Sequence, residues 1–154
     1  MVYIYINGTE NESDIADNII LHMRRQYNVW NLSGKVSLTA LTGIISMANL
    51  VISNDSGPLH LAHILHTPAI GIYWIGNMIT GMPLTSNHTR QVISWTTCCP
   101  LCGVECRKFN TEANGCRHDT SFVDSISVAE VETAVIELMD QRGKQYHQEA
   151  IMSV

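Results

Sequence analysis

Short apolar runs alternate along the chain with longer segments in which apolar residues recur at helical spacing. The apolar runs predict strands at Val2–Ile6, Val29–Leu32, Asn49–Ser53, Ala69–Trp74 and, from a weaker pattern, Gln91–Trp95. Helical spacing predicts four helices. The first lies at 14–26, the second follows an N-cap at Ser37, and the third lies at 58–66. The fourth lies at about 127–142 and begins with a capping box of Ser127 and Glu130. Strands that alternate with helices through short turns predict an α/β fold with a parallel, three-layer sheet.

Two stretches, 75–90 and the cysteine-containing 96–124, lack either pattern, and we expect irregular structure there. A single domain is expected to cover 1–154, because a chain of this length can bury a core of its own. Parallel sheets bind ligands at the carboxyl ends of their strands. A ligand site is therefore expected in the turns after Ile6, Ser53 and Trp74.

Composition narrows the classes of function. Apolar residues make up 45% of the chain and charged residues 15%, which is typical of a compact globular protein. The net charge of −5 gives no broad attraction for nucleic acid, so any bound anion must be held locally. No apolar run approaches the ~20 residues that span a bilayer, and the N-terminus lacks the features of a signal peptide. We therefore expect a cytoplasmic protein with at most peripheral membrane association.

The segment Asp55–His60 combines several features that hold an anion. It follows a predicted strand, Gly57 lets the backbone come close to a ligand, and Pro58 fits the first turn of a helix. A helix N-terminus offers N–H donors and a partial positive charge to a phosphate. Ser56 adds a hydroxyl and His60 a ring nitrogen. The pattern therefore predicts a phosphate site at the start of this helix.

A structural interpretation fits the same residues. Asn54 or Asp55 would then cap the helix, and His60 would be a histidine on a half-buried face. Asp55 cannot usefully meet a phosphate directly, so we expect it to cap the helix or to bond a substrate hydroxyl. The local pattern leaves both interpretations open.

The wider sequence resembles the C-terminal domain of glycosyltransferase family 9, the bacterial ADP-heptose:lipopolysaccharide heptosyltransferases. Three segments carry the resemblance: Asn31–Leu38, Ala48–Ala62 and Thr67–Tyr73. It runs from about Val2 to Met139 and is most specific around Asp55–Gly57 and His60. It implies a Rossmann-like domain that forms the C-terminal half of an enzyme of the GT-B arrangement.

The resemblance also implies roles for individual residues. The family's Asp-[Ser/Thr]-Gly-x-x-His motif binds the diphosphate and sugar of the donor, which implies this role for Asp55, Ser56, Gly57 and His60. A Leu-[Thr/Ser]-Gly-Lys segment borders the nucleoside pocket, which makes Gly34 and Lys35 candidate contacts. Lys35 is equally compatible with an exposed lysine before a helix. After the strand at 69–74 the family's Phe-Gly-x-[Thr/Ser] loop reads Trp74–Met78 here, and only Gly76 keeps the expected flexibility.

The implied reaction transfers a sugar with inversion from a nucleotide donor, ADP-heptose in the family, to a lipid-linked saccharide of the lipopolysaccharide core or a related glycan. The family's acceptor domain is N-terminal and supplies the catalytic base, and these 154 residues match only the other half. We therefore expect this chain to bind donor, to contain no catalytic residue and to transfer no sugar alone. Helix N–H donors would stabilise the leaving diphosphate without a metal cofactor.

All five cysteines lie between 98 and 116. Four of them could place thiolates around one structural Zn²⁺: Cys99, Cys102, Cys106 and Cys116, with His118 as an alternative ligand. The turn Cys99-Pro100-Leu101-Cys102-Gly103 resembles a metal knuckle. Only one of the two Cys-x-x-Cys pairs of the usual zinc site is present, so free thiols or a local disulfide remain alternatives.

Three hypotheses of function follow. The chain is the donor-binding part of a heptosyltransferase-like enzyme, or a non-catalytic nucleotide-sugar-binding module, or an interaction domain stabilised by zinc. The sequence identifies neither the sugar nor the nucleotide, because the family's sugar contacts come partly from its other domain.

Overall fold

The structure, a computed structural model, describes residues 2–24, 26–82, 87–105, 116–118 and 120–152. Five strands lie in this part of the chain: β1 (Ile4–Ile6), β2 (Val29–Asn31), β3 (Val51–Asn54), β4 (Ala69–Trp74) and β5 (Thr89–Ser94). The α-helices there are α1 (Ser13–His22), α2 (Leu38–Met47), α3 (Gly57–Ile64), α4 (Ile75–Gly81) and α5 (Val128–Met152). All strand pairs are parallel, which confirms the predicted α/β class.

The chain forms two compact units, Met1–Gly43 and Ile44–Val154. In the first unit, β1 pairs with β2, so that Ile4 lies opposite Val29. The Asn31 side-chain amide donates to Asp17 Oδ1 over 2.7 Å, which joins the end of β2 to α1. The strand ends of this small sheet are thereby held against the helix that connects them.

In the second unit, β3, β4 and β5 form a sheet with β4 in the centre. The central position explains the continuous apolar run of β4, because a strand in a parallel sheet is covered on both faces. Ile70 of β4 is fully buried and forms a core with Val92 of β5 and with Ala134 and Leu138 of α5. Helix α5 thus covers one face of this sheet.

The predicted capping box begins α5. Ser127 N–H donates to Glu130 Oε2 over 2.7 Å, and Glu130 N–H donates to Ser127 Oγ over 3.2 Å. The predicted end at about 142 is wrong, since α5 runs to Met152. Apolar periodicity fades after 142, but the residues there include good helix formers and no proline. Among the described helices, none combines the length and the hydropathy that crossing a bilayer requires.

The expectation of irregular structure from 75 onward is also wrong, because Ile75–Gly81 forms α4 and β5 begins at Thr89. Gly76 and Gly81 weaken the helical pattern of this segment, and tertiary contacts override the low propensity. Residues 83–86 lie outside the described part of the chain.

Candidate functional site

The segment Asp55–His60 lies at the carboxyl end of β3, where the chain turns into α3. Ser56 has extended backbone angles and occupies the N-cap position. Its hydroxyl lies 3.0 Å from Ser53 Oγ and donates to the Asn54 carbonyl oxygen over 3.1 Å, without bonding a helix N–H. The alternative in which Asn54 or Asp55 caps this helix is therefore wrong, and the Asp55 side chain is available for another role.

The carboxylate of Asp55 faces the ring of His60. Oδ1 lies 3.5 Å from His60 Nε2, the Asp55 side chain is 17% exposed, and that of His60 is 52% exposed. Oδ1 itself is buried and accepts no hydrogen bond from the described residues. Buried polar atoms in native proteins nearly always have a hydrogen-bond partner, so this oxygen is a candidate acceptor for a ligand.

Helix α4 limits the space on another side of Asp55. A β-carbon placed on Gly81 would lie 2.5 Å from Asp55 Oδ2, so only glycine leaves the carboxylate where it is. The buried Tyr73 hydroxyl donates to the Gly81 carbonyl oxygen over 3.5 Å. Burial and the charge of Asp55 raise the pKa of Tyr73 to about 12, so the phenol remains a donor at neutral pH. Sequence reasoning missed Gly81 because 75–90 was expected to be irregular, and it missed the Tyr73 hydroxyl because Tyr73 fits the apolar pattern of a buried strand.

Gly57, the first residue of α3, faces open space. A β-carbon on Gly57 would meet no heavy atom within 4 Å. A ligand can therefore approach the N-terminus of α3. The groups near it are the His60 ring, the Ser56 hydroxyl and the Asp55 carboxylate. The N–H donors of this site can bind a phosphate, and its carboxylate can accept a hydrogen bond from a ligand hydroxyl.

Three histidines that showed no ligand spacing in the sequence come close to one another. The His66 Nδ1 and His88 Nε2 atoms are 3.3 Å apart, and their rings meet edge to face. Burial, followed by the charges of His60 and His88, lowers the pKa of His63. Burial, followed by the charges of His66 and Arg142, lowers the pKa of His88. His63 and His88 are therefore harder to protonate in the folded chain than in the unfolded one.

The other two candidate donor contacts lie in the first unit, after β2. Gly34 has φ +68°, and a β-carbon there would lie 2.8 Å from Glu10 Cα, so both conformation and space require glycine. Lys35 is exposed and donates from Nζ to the Asn31 carbonyl oxygen over 3.1 Å. The neighbouring Ser33 hydroxyl, which the motif did not single out, is buried without a partner among the described residues. Gly34 and Lys35 remain predicted contacts of the nucleoside.

The cysteine-containing loop brings four metal-ligating side chains together in the second unit: Cys99, Cys102, Cys116 and His118. Their ligand atoms all lie within 4.8 Å of one another, so this cluster could hold a metal ion. Cys106, a predicted ligand, lies outside the described residues. His118, the predicted alternative ligand, stands in the cluster, whereas Cys98 does not belong to it.

The predicted knuckle turn shapes this cluster. Gly103 has φ +72° and donates from its N–H to the Cys99 carbonyl oxygen over 2.9 Å. Burial alone would raise the pKa of the Cys99 thiol, but backbone N–H donors at Cys102 and Leu101 and the neighbouring thiols lower it to about 6. The side chains that pack against the buried Cys99 and Cys116 are Trp74, Val104 and Phe122.

Comparison with known proteins places these features in a family. The sequence model of glycosyltransferase family 9 (heptosyltransferase) matches residues 2–110. Over 64 residues the chain is 42% identical to the lipopolysaccharide core heptosyltransferase OpsX of Haemophilus influenzae. The matched segment makes up 42% of this chain and 18% of that protein. The chain thus spans about a fifth of the length of this curated relative.

Two solved structures share the fold. One is a glycosyl transferase of family 9 from Veillonella parvula, with a TM-score of 0.64 and 18% identity over 88% of this chain and 36% of that one. The other is E. coli ADP-heptose LPS heptosyltransferase II, with a TM-score of 0.54 and 22% identity over 58% of this chain and 28% of that one. These likenesses confirm the predicted Rossmann-like fold, and the family match covers more than half of the chain. The chain therefore belongs to glycosyltransferase family 9.

Proposed function

We propose that this chain is the donor-binding part of an inverting, heptosyltransferase-like glycosyltransferase of lipopolysaccharide core or related glycan synthesis. One observation carries the proposal for the site: the Asp55 carboxylate, with a buried oxygen that no described residue satisfies, faces His60 beside the open start of α3. The relatives' names and the family match support a nucleotide sugar such as ADP-heptose as the ligand.

Each group in the segment has a separate task in this proposal. The N–H groups at the start of α3 bind the donor diphosphate, and Ser56 adds its hydroxyl. His60 is half exposed and donates from its ring to the same diphosphate. Asp55 orients the His60 ring and accepts a hydrogen bond from a hydroxyl of the sugar. Gly34 and Lys35 contact the nucleoside.

The contribution to chemistry is electrostatic. As the sugar departs, negative charge grows on the diphosphate, and fixed N–H donors stabilise that charge without reorganisation or a metal cofactor at this position. The base that activates the acceptor belongs to the family's N-terminal domain. The isolated chain should therefore bind donor and transfer no sugar. Because the acceptor is lipid-linked, we place the protein in the cytoplasm at the inner face of the cytoplasmic membrane.

Isothermal titration calorimetry with ADP and ADP-heptose tests the site. We expect measurable binding by the chain and a loss of roughly 10- to 100-fold in affinity for His60→Ala, since a hydrogen bond to a charged group contributes about 1.5–3 kcal/mol. His22→Ala is the control, because His22 is exposed and its ring bonds only the Asn18 carbonyl of its own helix among the contacts described. Unchanged affinity in His60→Ala would remove His60 from the site.

A thermal-shift panel tests the nucleotide specificity. Ligands that bind the folded chain raise its melting temperature, and the stabilisation grows with the logarithm of the ratio of ligand concentration to Kd. We expect ADP and ADP-sugars to raise it more than the corresponding uridine and guanosine compounds. A panel without any shift, together with flat calorimetric titrations, would reject donor binding for both the enzyme and the non-catalytic binding module.

A further inference from the structure

Three of the six distances between the ligand atoms of the cysteine–histidine cluster match the edges of a tetrahedral metal site, and all four atoms lie within 4.8 Å of one another. His118 Nδ1 lies 3.7 Å from Cys99 Sγ and 3.6 Å from Cys116 Sγ, and Cys102 Sγ lies 3.7 Å from Cys116 Sγ. A tetrahedron with Zn–S bonds of about 2.3 Å and a Zn–N bond of about 2.0 Å has edges of about 3.5–3.8 Å. These side chains therefore need little movement to bind zinc.

A disulfide does not explain this arrangement. The cysteines of the cluster are free, and the Cys102 and Cys116 sulfur atoms stand 3.7 Å apart, whereas a disulfide bond needs about 2.05 Å. Simple burial of thiols does not explain it either, because Cys102 and His118 are exposed and still turn towards the buried Cys99 and Cys116.

The chemistry of the ligands selects the metal. Three thiolates and one imidazole suit Zn²⁺, whereas Mg²⁺ and Ca²⁺ prefer oxygen ligands. The Gly103 N–H donates to the Cys99 carbonyl oxygen over 2.9 Å and closes the turn that carries Cys99 and Cys102.

We propose that Cys99, Cys102, Cys116 and His118 bind one Zn²⁺ ion with a structural role. Four protein ligands leave no coordination position for a substrate, so the ion takes no part in sugar transfer. It connects the knuckle at 99–102 to 116–118, and the joined segments pack against Trp74 at the end of β4 and against Phe122. The metal site is independent of the proposed donor site.

Elemental analysis of the purified chain tests the site, and Co²⁺ substitution tests its geometry. We expect about one zinc per chain and, after exchange, the visible absorption bands of tetrahedral thiolate-bound cobalt. Cys102→Ser should lose most of the metal. Cys98→Ser is the matched control, because Cys98 neighbours the site without belonging to it, and it should keep the full zinc content. His118→Cys retains four zinc ligands and should also keep the metal, which separates loss of a ligand from loss of the fold.

Four results would overturn the proposal in whole or in part. Less than about a tenth of a zinc per chain in a folded preparation rejects the site. Full zinc content in Cys102→Ser rejects the ligand set. If Cys106→Ser loses zinc and His118→Ala keeps its full zinc content, the fourth ligand is Cys106 and not His118. Stoichiometric iron in place of zinc rejects the choice of metal.

Discussion

Gly81 controls the position of the Asp55 carboxylate. In Gly81→Ala the new methyl group would lie 2.5 Å from Oδ2, so the carboxylate must rotate away from its place beside His60. We expect an affinity loss for ADP-heptose of about tenfold, equivalent to ~1.4 kcal/mol. The melting temperature should change little, because alanine favours the helix and the displaced group is a side chain. Calorimetric titration and a thermal melt of the same preparation measure the two effects.

Gly43→Ala is the matched control for this substitution, since a β-carbon at Gly43 would meet nothing within 4 Å. It should leave affinity unchanged. Equal affinities in wild type and Gly81→Ala would show that the position of Asp55 does not matter for the donor.

Single residues differ in how far the sequence could predict them. The Asp55–His60 segment was recognisable because a strand end, a glycine and a helix-starting proline follow one another in the chain. Gly81 was not recognisable. A glycine that makes room for a carboxylate distant in sequence has no side chain, and it belongs to no sequence pattern that would indicate this contact. Tyr73 read as one more apolar position of a buried strand, and only the fold brings its hydroxyl to Gly81.

The capping box is the element-scale feature with the clearest energetic consequence. Ser127 and Glu130 satisfy each other's backbone N–H groups. The hydrogen bonds that the Ser127 N–H and hydroxyl donate to the Glu130 carboxylate lower the pKa of Glu130. Ser127→Ala should lower the free energy of unfolding by about 1 kcal/mol, as measured by urea denaturation. Thr133→Ala in the same helix is the control, because its exposed hydroxyl bonds the Ala129 carbonyl and caps no N–H. Equal losses in the two variants would mean that the cap does not stabilise α5.

Helix starts proved more predictable than helix lengths. Ser37 and Ser127 cap α2 and α5 as their positions in the sequence predicted, because a cap is a local interaction. The continuation of α5 to Met152 and the existence of α4 depend on propensity summed over many residues and on tertiary contacts, which apolar periodicity does not report.

At the scale of the whole molecule, the half-buried histidines His63 and His88 predict sensitivity to acid. The pKa values of His63 and His88 are lowered from 6.5, so below about pH 6.5 the unfolded chain binds more protons than the folded one. The free energy of unfolding should therefore fall as the pH drops from about 7 through 6.5 towards the lowered pKa values of the folded state. Urea denaturation at pH 7.5 and 5.5 measures the loss. The double variant of His63→Gln and His88→Gln should show a smaller loss of stability, whereas the control His22→Gln should behave like wild type. If the wild type, the double variant and the control lose the same stability, the loss belongs to other titratable groups.

The fold class could be predicted from the sequence because an alternation of strand and helix admits few architectures, and the parallel pairing of β3, β4 and β5 agrees with it. The metal cluster was predictable only in outline. The Cys99-x-x-Cys102 turn is local, but the approach of Cys116 and His118 depends on how the chain returns to the knuckle, and spacing alone could not rank His118 against Cys106.

The packing of Trp74 gives the protein an optical reporter. Its indole N–H donates to the Thr96 carbonyl oxygen, and its side chain packs against Phe122 and the buried cysteines of the cluster. Trp30 and Trp95, by contrast, are exposed. With phenylalanine at those two positions, the remaining indole emission would come from the border between the sheet and the metal knuckle. Loading and removal of the ion could then be followed in real time by fluorescence, without a label.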